Sequence, residues 1–365
     1  LIFHKKNFYC VYIFIKGENM ANEDFYIGAN DEHGVNPPTQ GKRTPVMPGL
    51  NRQIYENEFN RAAKNYFIEA CMRQDFSVFD VKPELQDLSI TNRVRRINAQ
   101  NLTLCVTFAY NAFRDSFNSA NGVEVFYSPL NARAEESRAL AQDVYNQVSQ
   151  GTPQNGRGVK TLDVGVLSSV NCPSTLIEAG FMTNLREAQL MINPLFQTEV
   201  GEEACHGVCD FLQVPYIPRD DLSVYPLLRN GSRSNFVYLL QFILVNQYGY
   251  SLSIDGIFGA NTQRAVQDFQ QRNGLAVDGV VGNNTWRTLL TLPPYPTLRQ
   301  GSRGAYVTFL QELLESNLIP VGGIDGIFGS RTNNAVRQYQ QAEGLAVDGI
   351  VGTNTWAAIT DLQRV

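Results

Sequence analysis

Residues 254–286 read IDGIFGANTQRAVQDFQQRNGLAVDGVVGNNTW, and residues 324–356 read IDGIFGSRTNNAVRQYQQAEGLAVDGIVGTNTW. Of these 33 aligned positions 22 are identical, and every landmark is displaced by 70 residues. The likeness begins upstream, where Tyr225-Pro-Leu-Leu-Arg pairs with Tyr295-Pro-Thr-Leu-Arg. A first helix is predicted over Asn235–Tyr248, because Phe236, Leu239, Leu240, Ile243 and Leu244 recur at spacings of three and four. A second is predicted over Asn261–Asn273, with Ala265, Val266 and Phe269 inward and Gly274 as its stop. Asp255-Gly256 and Asp278-Gly279 are turn signals. Asp255 and Asp325 invite a calcium reading, but the loop lacks the further oxygen ligands of a calcium site. A tandem repeat this close is a binding module used twice.

This motif resembles the three-helix peptidoglycan-binding module of bacterial cell-wall hydrolases. The pattern DGxFGxxTxxAVxxFQxxxGLxVDGxVGxxTW is met almost throughout, with Tyr339 standing where Phe is usual. The resemblance implies a partner in the glycan and stem-peptide mesh of the wall. Two linked copies would gain from effective concentration on a repetitive polymer. Residues 225–292 carry five Arg against three Asp, and residues 295–362 carry four Arg against six acids. No basic stripe exists for nucleic acid.

The chain has 365 residues, enough for two or three domains, with 43% hydrophobic and 18% charged content. Its net charge of −5 favours neither nucleic acid nor an anionic membrane as partner. No apolar run reaches about 18 residues, so no membrane span is expected. The six cysteines show no paired zinc spacing and read as buried, reduced thiols. Residues 1–19 open LIFHKKNFYCVYIFI and have no small-residue cleavage site. Lys16-Gly17-Glu18 is what a purine-rich ribosome-binding site gives on translation, and Met20 follows at start-codon distance. Residues 1–19 are therefore read as an untranslated leader, with synthesis in the cytoplasm and no export signal.

Between residues 25 and 213 strand-like and helix-like segments alternate. Strands are predicted over Phe25–Ala29, Phe76–Val81, Leu102–Phe108, Gly122–Tyr127 and Ser174–Glu178, the last ending in its acid. Helices are predicted over Tyr55–Met72, Ser89–Asn98, Glu135–Val148, Leu185–Ile192 and Phe196–Leu212. The alternation predicts an α/β domain with a mostly parallel sheet flanked by helices. It spans residues 20–214 and is followed by a linker at 215–224 and small three-helix modules at 225–292 and 293–365. Leu292–Pro296 joins the modules.

Several blocks of the front domain resemble the zinc-dependent N-acetylmuramoyl-L-alanine amidases. Ile177-Glu178-Ala179-Gly180-Phe181-Met182-Thr183-Asn184 resembles that family's late-strand motif. Tyr55-Glu56-Asn57-Glu58-Phe59-Asn60 resembles the block with the zinc-binding glutamate, and His33-Gly34 the first zinc-histidine loop. Gly122–Tyr127 and Asn155–Lys160 match further blocks, and the latter suggests Arg157 as a substrate contact. The resemblance implies hydrolysis of the amide between N-acetylmuramic acid and the L-alanine of the stem peptide. It implies Zn2+ as cofactor, His33 and Glu56 on the metal, and Glu178 as acid/base. A catalytic zinc takes three protein ligands and one water, and a nearby carboxylate carries the water's proton to the leaving amine.

The third ligand is missing from its usual place. Where the family has a histidine, Thr107-Phe108-Ala109-Tyr110-Asn111 presents Ala109, and Glu32 replaces a glycine of the first loop. The other histidines, His4 and His206, lie in the leader and on the last helix of the front domain. Three readings stay open: an active site rebuilt with an oxygen from Asp31, Glu32 or Glu58, a degenerate amidase that binds wall without cutting, or a single altered position. The expected settings are a sporulating mother cell or a phage-type lysin, acting at the wall.

Overall fold

The computed structural model describes residues 22–35, 42–47, 52–290 and 297–360. The leader reading and the inter-module link at 292–296 lie outside the described residues.

The front domain runs β1 (Tyr26–Asp31), α1 (Glu56–Arg73), β2 (Ser77–Asp80), α2 (Ile90–Asn98), β3 (Leu104–Asn111), β4 (Val123–Tyr127), α3 (Ala134–Gly151), β5 (Gly156–Thr161), α4 (Gly165–Ser168), β6 (Ser174–Phe181), α5 (Leu185–Leu190) and α6 (Pro194–Leu212). The strands form one sheet in the order β2-β1-β3-β6-β4-β5. All neighbours are parallel except β4 and β6. The sheet is therefore mostly parallel, as the alternating pattern predicts.

Side chains alternate across the sheet with period two. On β3, Leu104, Val106, Phe108 and Tyr110 enter the main core, beneath Phe59 and Phe67 of α1, Val144 of α3 and Phe196 of α6. Each fully buried Phe or Ile there contributes about 1.5–3 kcal/mol. Cys105 and Ala109 face the other way, into two small apolar clusters. Ala109 packs there with Val166, Leu167 and Leu176. The five cysteines from Cys71 to Cys209 are buried and free, as expected of core thiols.

Strand boundaries shift from the sequence reading, as in β3, which runs to Asn111, and α4 and β5 have no counterpart in it. Strand β6 does not stop at Glu178 but runs on to Phe181, paired with β3 through a register shift between Ala109 and Asn111. Strand β5 carries no apolar alternation, because it is a sheet edge with both faces largely wet.

Each repeat folds as three helices around its own core: α7 (Asn235–Asn246), α8 (Ala260–Arg272) and α9 (Asn283–Leu290), then α10 (Ala305–Ser316), α11 (Ser330–Ala342) and α12 (Thr353–Ile359). Leu239, Leu240, Ile243 and Leu244 are buried as predicted, while Phe236 is only half-buried, edge-on to Tyr225. The Asp-Gly turns are held from inside by glutamine. Gln241 Nε2 stands 2.9 Å from Asp255 Oδ1, 3.1 Å from the Ile257 carbonyl and 3.1 Å from Thr262 Oγ1. Its Oε1 accepts from the amides of Asp255 (3.0 Å) and Gly256 (2.9 Å). Gly256 has φ 70°, and a Cβ there would meet Tyr238 at 2.3 Å. The same bracket recurs at Gln270, Gln311 and Gln340, twice per module. Oδ1 of Asp255 and of Asp325 is thus engaged in a turn bond, accepting from the Ile257 and Ile327 amides.

Both modules touch the front domain. Gln247 donates to Glu69 of α1 at 2.7 Å, and Asn235 donates to Asp75 at 3.0 Å. Glu312 of the second module accepts from Arg52 at 3.1 Å, and Asn193 donates to the Thr360 carbonyl at 3.1 Å.

Trp286 and Trp356 are the chain's two tryptophans, one buried in each module. In a Trp356→Phe background, the Trp286 signal reads the first module alone. Gln270→Leu leaves the buried Gly279 amide unpaired and should lower urea stability of that module by about 1–3 kcal/mol. An unchanged midpoint would refute the bracket. The Val280 amide and the Gln270 side chain hold Asp278 below the ordinary aspartate range. Stability from this group is therefore complete above that range and is lost as pH falls through the lowered value. Asp278→Asn should flatten that acid limb, read by the same fluorescence.

Candidate functional site

The site lies where β1, α1, β3 and β6 meet. Backbone pairing carries Glu32 beyond the end of β1: Asp31 is in register with Phe108, and the Glu32 amide donates to the Phe108 carbonyl at 3.0 Å. The next residue, His33, takes the left-handed conformation at φ 61°. Its Nε2 stands 3.4 Å from Glu56 Oε2 and 3.5 Å from Glu32 Oε2. Burial, with Lys42 nearby, lowers the imidazole to about 4, so His33 is neutral at pH 7 and one ring nitrogen carries a free lone pair.

Glu56 opens α1. Its Oε1 accepts from Asn60 Nδ2 at 2.9 Å and from the Tyr110 amide at 3.0 Å, which leaves Oε2 directed at His33. Asn60 also donates to the Glu32 carbonyl at 3.1 Å, so one side chain positions both loop and glutamate. Burial pushes Glu56 up to about 8, with Glu32 adding repulsion.

Glu178 sits in β6 directly between Ala109 of β3 and Glu124 of β4. Burial and then the carboxylates of Glu56, Glu32 and Glu124 raise it well above the usual range. Its Oε2 is buried without a hydrogen-bond partner, and so is Glu32 Oε1. Burial likewise raises Glu32.

Other acids here are committed to cations. Asp31 is fully buried, with Lys64 at 2.8 Å, Lys82 at 3.1 Å and Arg61 at 3.3 Å. Glu58 caps α1 by accepting from the Tyr55 amide at 2.8 Å, and pairs with Arg52 at 3.0 Å. Of the three oxygens that sequence offered as substitute donors, the structure therefore removes Asp31 and Glu58 and leaves Glu32. His206 lies on α6, stacked on Tyr216, away from the site.

A second network flanks Glu178; the sequence singles out only its Arg157, as a substrate contact, whereas the structure pairs that arginine with Glu124. Glu124 accepts from Asn111 at 2.7 Å, from Arg157 at 2.8 Å and from Lys160. Burial raises this carboxyl, but those cations outweigh it and hold it ionised. Arg157 also lies over the Phe181 ring at 4.9 Å. Acid and cations sit in two separate sequence blocks that only the β4–β5 pairing joins. Asn60 was visible merely as a landmark four residues after Glu56.

Residues 33–210 match the family described as N-acetylmuramoyl-L-alanine amidase. The front of this chain is an amidase domain of that family. Residues 233–289 and 303–359 match the peptidoglycan binding domain family, so two such domains follow it. The amidase CwlM of Mycobacterium tuberculosis is 39% identical over 110 residues, covering 27% of this chain and 26% of that protein. The amidase CwlL of Bacillus licheniformis is 30% identical over 133 residues, covering 34% and 36%. The chain thus spans roughly a quarter to a third of these two relatives' lengths. YqiI of Bacillus subtilis is 24% identical over 179 residues and is covered to 85%. The solved amidase from Clostridium difficile is 26% identical with a TM-score of 0.44, covering 52% of this chain and 97% of that one.

The family is generally zinc-dependent. In the amidase domain, His33 and Glu56 fit two positions of such a centre: a neutral imidazole, and a carboxylate whose far oxygen is already held. Ala109, at the usual third position, offers no donor. Among the described residues no group of three His, Cys, Asp or Glu side chains is placed to hold a metal ion.

Asp31→Asn strips the counter-charge from buried Lys82 and one of two from Lys64, which keeps Asp80 at 2.7 Å. The amidase domain should lose roughly 3–5 kcal/mol of stability in chemical unfolding followed by far-UV circular dichroism. A loss below about 1 kcal/mol would contradict a structural role for Asp31.

Proposed function

We propose that this chain hydrolyses the amide between N-acetylmuramic acid and the L-alanine of the stem peptide, while residues 225–360 hold it on peptidoglycan. One observation carries the catalytic part: Glu178 keeps a buried oxygen without a partner, within the same carboxyl cluster as His33 and Glu56. A buried acid with an unengaged oxygen is costly for stability alone and useful for proton transfer.

On this reading His33 Nε2 and Glu56 Oε2 are two of the zinc donors, and Asn60 and the Tyr110 amide fix the glutamate in place. A bound zinc ion supplies carbonyl polarisation and a more acidic water. Glu178 takes the proton of the attacking water and returns it to the leaving amine of L-alanine. Its raised pKa suits the second half of that task, and a nearby cation favours the ionised form needed for the first. Arg157 and Lys160 give the rim beside Glu178 a positive edge suited to stem-peptide carboxylates. The place of action is the cell wall. No helix among the described residues is long and apolar enough to cross a membrane.

A second reading has its own observation. Ala109 is packed among Val166, Leu167 and Leu176, as in a fold settled without a third histidine. The domain would then be a retired hydrolase serving as a wall-binding body.

Residues 20–365 incubated with purified sacculi and zinc should expose new N-terminal alanine. Glu178→Ala should lower that rate about 10²–10⁴-fold while still pelleting with the sacculi. No alanine release from the unmodified chain, with pelleting intact, would sink the enzyme reading in favour of the binder.

A further inference from the structure

We propose that Glu187 is a positioning residue for Glu178, its buried carboxylate clamping the ends of β6 and β4 where their own pairing stops. This rests on the acid/base reading of Glu178 above.

The first observation is where pairing fails. Glu178 opposite Glu124 is the last pair of the β6–β4 ladder at the carboxyl end of β6. On the other edge of β6, the register against β3 shifts directly after the pair of Ala109 with Glu178. Regular pairing is thus interrupted on both sides of the strand at the residue that must hold its carboxyl still. Two acids facing each other across that last pair add repulsion, which favours splaying of the strand ends.

The second is what replaces the missing rung. Glu187 lies in the first turn of α5 and is buried. Its Oε2 accepts from the Phe181 amide of β6, and its Oε1 from the Gly122 amide just before β4, each at 2.8 Å. One carboxylate therefore takes an N–H from each strand. The Ala179 carbonyl is held by Gln154 at 2.6 Å and the Met182 amide by the Asn111 carbonyl at 2.8 Å, but Glu187 is the side chain that joins β6 to β4 at this end. Capping of α5 does not call for it. Asn184 already accepts from the Arg186 and Glu187 amides at 3.1 and 3.3 Å, so the Glu187 carboxylate is left to the strands.

The third is connection. The Tyr110 hydroxyl donates to the Glu187 carbonyl at 2.7 Å, and the Tyr110 amide donates to Glu56 Oε1 at 3.0 Å. The clamp behind Glu178 is thereby tied to the β3 residue that holds Glu56, so the two acids of the site share one brace.

The test is steady-state release of N-terminal alanine by the full chain with zinc, acting on soluble muramoyl-peptide fragments from muramidase-digested sacculi. Rates are expressed per folded molecule, with the folded fraction read by far-UV circular dichroism. Glu187→Gln has the same shape but one acceptor oxygen for two amides, and should lower kcat about 10–100-fold with KM unchanged. Glu187→Asp, which keeps both oxygens on a shorter stem, should recover part of that loss. In a Glu178→Ala background, Glu187→Gln should change the residual rate by less than about threefold, because a group that acts through Glu178 has nothing left to position. Equal losses in both backgrounds, or an unchanged kcat for Glu187→Gln, would overturn the positioning role and spare the acid/base reading of Glu178. No release from the unmodified chain, or a Glu178→Ala chain as fast as it, would overturn both.

Discussion

Desolvated carboxyl groups at one end of the sheet are the constraint around which the front domain is arranged. Each acid buried there raises the cost of ionising the next, because water no longer screens them. The fold answers by giving each a different escort. Asp31 receives two lysines and an arginine, Glu124 receives Arg157 and Lys160, and Glu56 receives two N–H donors on one oxygen. Glu32 and Glu178 are each left with a buried oxygen that nothing engages. The escorted acids hold the scaffold. The unescorted ones, with neutral His33 between Glu32 and Glu56, are where a cation and a water would be stabilised most.

The wall-binding part solves a milder version of the same problem. Its turns bury backbone amides that no helix or strand can pair, and a glutamine pays for them with both ends of its side chain at once. Four such brackets, two in each module, explain why Asp-Gly and the following Thr recur with so little variation. The outer surface is then free to vary, as the Arg-rich first module and the acidic second module show.

Much of this was legible in sequence because it rests on local periodicity. Helix α1, the buried strand β3 and the paired helices of the repeats follow from apolar spacing alone. The sequence predicts that β6 ends in its acid at Glu178, yet pairing with β3 carries it to Phe181. Strand β5 was missed because Gly-Arg-Gly-Val-Lys-Thr has no apolar face to reveal it. At the site, Glu178, Glu56 and His33 stood out through their motifs, and the structure brings His33 against Glu56 and makes Glu178 part of the same cluster. What spacing could not supply was commitment: that Asp31 belongs to Lys64 and Lys82, and that Asn60 ties Glu32 to Glu56, depend on contacts between distant segments.

The central claim is that this cluster is a cation site centred on His33. The most direct measurement is anomalous diffraction at the zinc absorption edge from a crystal of the full chain grown with stoichiometric zinc. The account predicts one strong peak within bonding distance of His33 Nε2 and Glu56 Oε2. A map with no peak there, or with zinc bound only at surface residues such as His206, would contradict it.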